Sequence, residues 1–139
     1  MVRLLDVNIL LALTNPDHLH HQRAHAWFAA VDSWATTPIT ETAFIRLMLN
    51  PVVAGRIVPA AEVFTVLRQL QAWPGHTFWA DDSSLATPQI DTTGLVGHRL
   101  TTDFHLVNLA AQHDGVLATL DHALIRALAA KDHKFIEMI

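Results

Sequence analysis

The stretch Met1–Leu13, MVRLLDVNILLAL, decides how the chain is read. Val2, Leu4 and Leu5 have the pattern of a short buried strand, and the carboxylate of Asp6 follows where that strand ends. A second apolar run, Ile9–Leu13, begins after only Val7 and Asn8, so the acid occupies a tight strand-to-helix turn between two pieces of core. A charge in such a place is costly unless it has a partner. The carboxyl end of a strand is also where open α/β sheets hold their ligands. Asp6 is therefore the first candidate functional residue, and acids in equivalent settings become candidates with it.

Outward from this stretch, strand and helix signals alternate. Asn15-Pro16-Asp17 marks a turn, after which Ala24, Trp27, Phe28 and Val31 repeat at the spacing of one helix face. Ser33–Thr37 reads as a second strand, and Pro38 and Thr40 open a helix that carries Glu41, Phe44, Ile45 and Met48 and stops at Asn50-Pro51. Val63, Val66, Leu67 and Leu70 form another apolar helical stripe, closed by Pro74-Gly75. Thr77–Trp79 is a possible extra strand, and Ser83–His98 gives no clear signal. Thr101 and Thr102 are good N-cap residues, Asp103 lies in the first turn that follows, and Asp114-Gly115 ends this helix. Val116–Leu120 is a buried strand with Asp121 at its end, a helix lined by Ala123, Leu124, Ala127 and Leu128 follows, and Lys134–Ile139 is expected to add a last strand. Strands separated by helices imply parallel pairing and a three-layer α/β sandwich.

Length and composition agree with a single domain over residues 1–139, large enough to bury a real core. No apolar run approaches the roughly 20 residues that span a bilayer, and the first apolar run is broken at once by Asp6 and Asn8, unlike a secretory leader. The chain has no Cys. Disulfides and thiolate metal sites are thus excluded, and a cytoplasmic protein without membrane contact is expected. The formal charge of −4 gives no global basic footprint, so a nucleic acid would have to be held by a local patch or through metal ions.

Four acids share one kind of position. Asp6 and Asp121 stand just beyond strands, and Glu41 and Asp103 at helix starts that follow strands or loops. In a parallel sheet these points lie on one edge and can converge on one cleft. Carboxylates brought together raise one another's pKa, and a hard divalent cation relieves the repulsion. An all-oxygen set suits Mg²⁺ or Mn²⁺, whereas Zn²⁺ favours His or Cys. Singly, an acid in a first helical turn is explained by capping and the helix dipole, worth ~0.3–1 kcal/mol. The joint placement of the four carries the functional reading.

The residues resemble a PIN-domain ribonuclease of the VapC toxin type. The resemblance is carried by LLDVNILLAL at the start, TTPITETAFIRLM near residue 40, GHRLTTDFHLVNLAA near 100 and GVLATLDHAL near 120, in that family's order and over essentially the whole chain. It implies a PIN-like three-layer α/β/α sandwich with a central, mainly parallel sheet. It also implies an acidic active site of Asp6, Glu41, Asp103 and Asp121 for metal-dependent RNA hydrolysis, with Asp6 and Asp103 as main metal ligands and Glu41 and Asp121 completing the site directly or through water. Asn8 matches the opening motif as a residue that would support a ligand, and equally fits a local turn role. Thr119 is a polar interruption expected to point into the same cleft. The cofactor implied is Mg²⁺ or Mn²⁺. The partners implied are an RNA substrate, a VapB-type antitoxin whose C-terminal segment covers the cleft, and a second copy in a homodimer.

Other features are weaker. His18, His20, His21 and His25 cluster, and His21/His25 at i, i+4 have the spacing of a metal pair, although a His-rich surface helix start accounts for them as well. His98, Arg99 and His105 flank Asp103, where they could touch substrate phosphate. Arg126, Lys131, His133 and Lys134 gather near the C-terminus and could form the local basic patch that RNA needs, although a solvated helix face is the commoner fate of such charges. The competing class is a non-catalytic PIN-like module that uses its acidic edge for protein contacts, which metal binding and RNA cleavage would distinguish.

Overall fold

In a computed structural model that describes residues 1–139, five short strands form one sheet in the order β3-β2-β1-β4-β5. They are β1 Arg3–Leu5, β2 Trp34–Thr36, β3 His76–Phe78, β4 Val116–Thr119 and β5 Ile136–Met138. Every neighbouring pair is parallel, so the expected mainly parallel sheet is parallel throughout. Helices α1 Val7–Thr14, α2 His21–Phe28, α3 Pro38–Met48, α4 Pro51–Ala54, α5 Ala60–Gln71, α6 Thr101–Gln112 and α7 His122–Ala127 connect them, with a 3-10 turn at Ala130–Phe135 before β5.

The three layers follow from the period of two along a strand. Leu5, Trp34 and Ala118 point to one face, where they pack with Ile9 and Leu10 of α1, Phe28 of α2, Phe44 of α3 and Val63 and Leu67 of α5. Their neighbours Leu4, Ala35 and Leu117 point to the other, against Phe104, Val107 and Leu109 of α6 and Leu124 of α7. In register, Leu4 lies between Ala35 and Leu117, and Leu5 beside Ala118, so each row feeds one core. Strands buried on both faces read as short apolar runs, as β1, β2 and β4 do, whereas the edge strands β3 and β5 are more exposed.

Two sequence expectations shift. Thr101 and Thr102 do not cap α6; the helix starts at Thr101 with Leu100 at the N-cap position, and the Thr101 hydroxyl donates instead to the His98 carbonyl at 2.9 Å. The third strand is His76–Phe78 rather than Thr77–Trp79, because Trp79 turns inward to stack on His113 with ring centroids 4.3 Å apart. The stretch without a sequence signal has no regular element. With Asp81 and Asp82 just before it, it is a strap sewn to α6 and its C-cap by side chains: Asn108 Oδ1 accepts from the Gln89 amide at 2.8 Å, His105 pairs with Asp81 at 2.6 Å, and His113 with Asp82 at 3.0 Å.

Position matters for function because the strand order reverses around β1. The chain runs from β1 to one side through β2 and β3, then returns to build β4 and β5 on the other. The crevice outside the carboxyl ends of β1 and β4 is thus a topological switch point, where open α/β sheets bind ligands.

Candidate active site

Asp6 follows β1 directly and is the N-cap of α1. Its side chain is 4% exposed. One carboxylate oxygen, Oδ1, accepts from the Val7 amide at 2.7 Å, and the other, Oδ2, from the Thr119 hydroxyl at 2.7 Å. Thr119, the last residue of β4, is itself fully buried, and its hydroxyl oxygen accepts from the Asp121 amide at 3.1 Å. One hydroxyl therefore ties the two strand-end acids together. Asp121 caps α7 in turn, its Oδ1 accepting from the Ala123 amide at 2.8 Å.

Asp103 enters from the first turn of α6 and lines a cleft of about 230 Å³ together with Asp6. Burial pushes the carboxyl of Asp6 above its ordinary range, against the hydrogen bonds from Thr119 and Val7, and the Asp121 charge adds to the rise. Asp103 is pushed up to about 7, first by burial and then by the charges of Asp6 and Asp121. Three aspartates far apart in sequence thus feel one another.

Glu41 is not brought into this group. It sits one residue past Thr40 on α3, and it is Thr40, Ala43 and Leu47, spaced as one helix face, that line the cleft. The Glu41 carboxylate faces β2 and α5 instead. Its Oε2 accepts from the Thr36 hydroxyl at 2.5 Å and from Gln71 Nε2 at 2.8 Å. Since the Thr36 hydrogen goes to Glu41, the contact of 2.8 Å between His76 Nε2 and Thr36 Oγ1 has the imidazole as donor. Burial lowers the pKa of His76, with the Glu41 charge opposing that shift.

Of the lesser candidates, Thr119 does not line the cleft but is buried beside it, where its hydroxyl donates to Asp6. Asn8 is exposed on the first turn of α1 and hydrogen-bonds none of the aspartates. His105 is engaged with Asp81. The His21 and His25 rings cap the end of α1, contacting the carbonyls of Ala12 at 2.7 Å and Leu13 at 2.8 Å. Their face-sharing spacing serves helix packing. Near the C-terminus, Lys134 lies over the ring of Phe135, 5.1 Å from its centroid. Missing from the sequence reading were Arg46 and the cleft-lining face of α3, whose signal is the Thr40, Ala43, Leu47 spacing.

The raised pKa of Asp103 has a consequence for stability. Because the folded state holds this proton more tightly than the unfolded chain, the contribution of Asp103 to stability is present below about pH 4 and is lost as pH rises through about 7. In metal-free thermal melts across this window, Asp103→Asn is expected to remove a component that falls with rising pH. Identical pH profiles for the variant and the wild type would contradict the assignment.

Several curated proteins are similar over most of the chain. Ribonuclease VapC39 of Mycobacterium tuberculosis is 41% identical over 133 residues, covering 94% of this chain and 96% of that protein. Ribonuclease VapC38 of the same organism is 42% identical over 120 residues, covering 85% and 84%. Ribonuclease VapC29 is 40% identical over 125 residues, covering 89% of each. No protein-family model matches the chain. Among solved structures, a chain in the crystal structure of VapBC2 from Rickettsia felis bound to a promoter DNA fragment superposes with a TM-score of 0.66 at 12% identity, covering 100% of this chain and 99% of that one. That likeness shows a shared fold. With relatives at this identity across nearly its whole length, and an α/β/α sandwich with a five-stranded parallel sheet, this chain belongs to the VapC family of PIN-domain ribonucleases.

Proposed function

We propose that the chain is the toxin ribonuclease of a VapBC-type toxin–antitoxin pair, hydrolysing RNA phosphodiester bonds with Mg²⁺ or Mn²⁺ held by Asp6 and Asp103. The observation that supports this reading is that Asp6 and Asp103 line one cleft at the switch point of the sheet, where burial opposes the ionisation of both and the charge of Asp121 adds to that opposition. No three His, Asp or Glu side chains are gathered closely enough to hold an ion by themselves, so the fit to a hard cation rests on the chemistry of two carboxylates with water. The donor set is all oxygen, without Cys, and Mg²⁺ is commonly held by one or two carboxylates with water completing its shell.

A bound divalent cation supplies an acidified water and shields the charge that develops on a phosphate. The chain's own residues prepare the place for it. Thr119 and the Val7 amide fix both oxygens of Asp6, so its orientation costs little to maintain. Asp103 holds a proton that it can release near neutral pH. Asp121 adds negative charge beside both without needing to ligate. Glu41 enters as a positioning residue: its bonds to Thr36 and Gln71 anchor the start of α3, which carries Thr40 and Ala43 into the cleft.

A VapB-type antitoxin is the partner in this proposal, with a segment that covers the cleft, and the active particle is a homodimer in the cytoplasm. No helix is long and apolar enough to cross a membrane. An apolar groove of about 240 Å³ among Leu13, Phe28, Leu70 and Trp73 is available for protein contacts.

The test is incubation of the purified chain with total cellular RNA and Mg²⁺ or Mn²⁺, with mapping of new 5′ ends. Discrete internal cuts that disappear in EDTA and in Asp103→Asn are expected. Cuts that persist in EDTA would contradict the metal requirement, and an absence of any cut in total RNA would contradict the ribonuclease reading.

A further inference from the structure

We propose that Arg46 of α3 and Arg99, just before α6, form a phosphate clamp that seats the backbone of single-stranded RNA in the groove between these helices and sets which bond lies over the aspartates. The inference rests on the ribonuclease reading above and names residues that reading does not use.

The cleft that holds Asp6 and Asp103 is lined by both arginines. A second cavity, of about 380 Å³, adjoins it and shares the wall formed by Ile39, Ala43, Arg46 and Thr102. The two together make a groove along α3 that leads to the acids, with Arg46 common to both. The chain has nine Lys and Arg residues and a formal charge of −4. Only these two arginines line the acid-bearing cleft.

Like Arg23 and Arg126 they have no partner within the chain, and what sets them apart is that they stand on the acid-bearing cleft. Arg3 is paired with Glu137 at 2.8 Å and Arg56 with Glu62 at 2.6 Å. Arg46 and Arg99 form no ion pair or side-chain hydrogen bond, although they share a cavity with two aspartates. Both are exposed. The cleft therefore presents two separate chemistries, carboxylates at its buried end and free guanidinium groups on its walls. Guanidinium matches phosphate with two parallel N–H donors. A phosphodiester strand needs both: a site for the reacting group and fixed charges for its neighbours, so that its register is set. In the wall that the two cavities share, Ile39 and Ala43 offer apolar surface to a sugar or base.

The test is fluorescence anisotropy with a labelled, mixed-sequence single-stranded RNA of about 20 nucleotides, longer than a single small-domain site. Affinity is read against salt concentration in magnesium buffer, with the strand verified intact by gel. Arg46→Gln and Arg99→Gln are each expected to weaken binding about three- to tenfold, and to reduce the slope of log affinity against log salt by about 0.7, the value for one phosphate contact on a single strand. The double variant loses both. Arg46→Lys keeps the slope, since the charge remains, and loses affinity with the two-donor geometry. Arg23→Gln, an exposed arginine of α2 outside both cavities, leaves binding unchanged. Equal affinity and slope in wild type and the double variant overturns the clamp alone, leaving the ribonuclease reading to its cleavage assay. An equal loss in Arg23→Gln also overturns the clamp, because it makes the effect one of general charge. Failure of the wild-type chain to bind the RNA overturns both.

Discussion

Asp6→Asn is expected to reduce RNA cleavage by ~10³-fold or more, the scale of several kcal/mol of lost electrostatic stabilisation, while leaving the metal-free fold as stable as the wild type or more so. The two halves of this expectation have separate causes. The cleavage loss follows from removing one of the two carboxylates proposed to hold the cation. The stability outcome follows from the balance around a side chain that is 4% exposed. Burial and the Asp121 charge work against its ionised form, and the bonds from Thr119 and Val7 work for it, with burial the larger influence. Asparagine keeps an oxygen for the Val7 amide and turns an amide donor toward Thr119, leaving the Thr119 hydrogen without its acceptor. That loss is of order 1 kcal/mol, and relief of a buried, repelled charge offsets it. Thermal melts in EDTA check this directly. A clear drop in Tm would make Asp6 a structural cap instead.

The largest effect on stability is expected at Trp34, for a reason that also concerns the site. Its side chain is fully buried at the start of β2, meets the Phe28 ring edge-on with centroids 5.3 Å apart, and donates its indole N–H to the Pro74 carbonyl at 3.0 Å. Trp34→Ala opens a cavity beneath α2 and α5 and orphans that carbonyl, at a cost of about 3–5 kcal/mol. Against a typical stability of about 5–15 kcal/mol this is a severe loss. It falls on the strand that ends in Thr36, the hydroxyl anchoring Glu41. Urea unfolding of the purified variant measures it, and a cost below about 1 kcal/mol would show that the site collapses around the smaller side chain.

How much was legible in the sequence depended on the reach of each interaction. Asp6 and Asp121 could be placed because each is fixed by its own neighbours: an apolar run, then an acid, then a helix start. Asp103 could be placed because the first turn of α6 is marked locally, even though its supposed threonine cap was not one. The turn that carries Glu41 was legible too, but not the rotation of α3. Glu41 and Thr40 are adjacent in sequence, yet one meets Thr36 and Gln71 and the other lines the cleft. Only the packing of α3 against α1 and α5 settles that. Small residues such as Ala43 carry no chemical signal of their own.

The strap before α6 escaped the sequence for a related reason. It is held by partners distant in the chain: Asn108, which is 1% exposed, the pairs of His105 and His113 with Asp81 and Asp82, and Asp132, whose Oδ2 accepts from the Asp91 amide at 2.8 Å. Such contacts leave no period. Likewise, the histidines of α2 suggested a metal pair because spacing reports only that two residues share a face. That His21 and His25 contact the last carbonyls of α1 is a matter of how two helices pack.

The central claim is that aspartates remote in sequence make one divalent-cation site. Calorimetric titration of Mn²⁺ into the metal-free chain, with Asp6→Asn and Asp103→Asn beside the wild type, tests it most directly. Binding by the wild type that is lost in both variants is the predicted result. Binding of equal strength in all three chains, or no binding by the wild type, would contradict the shared site.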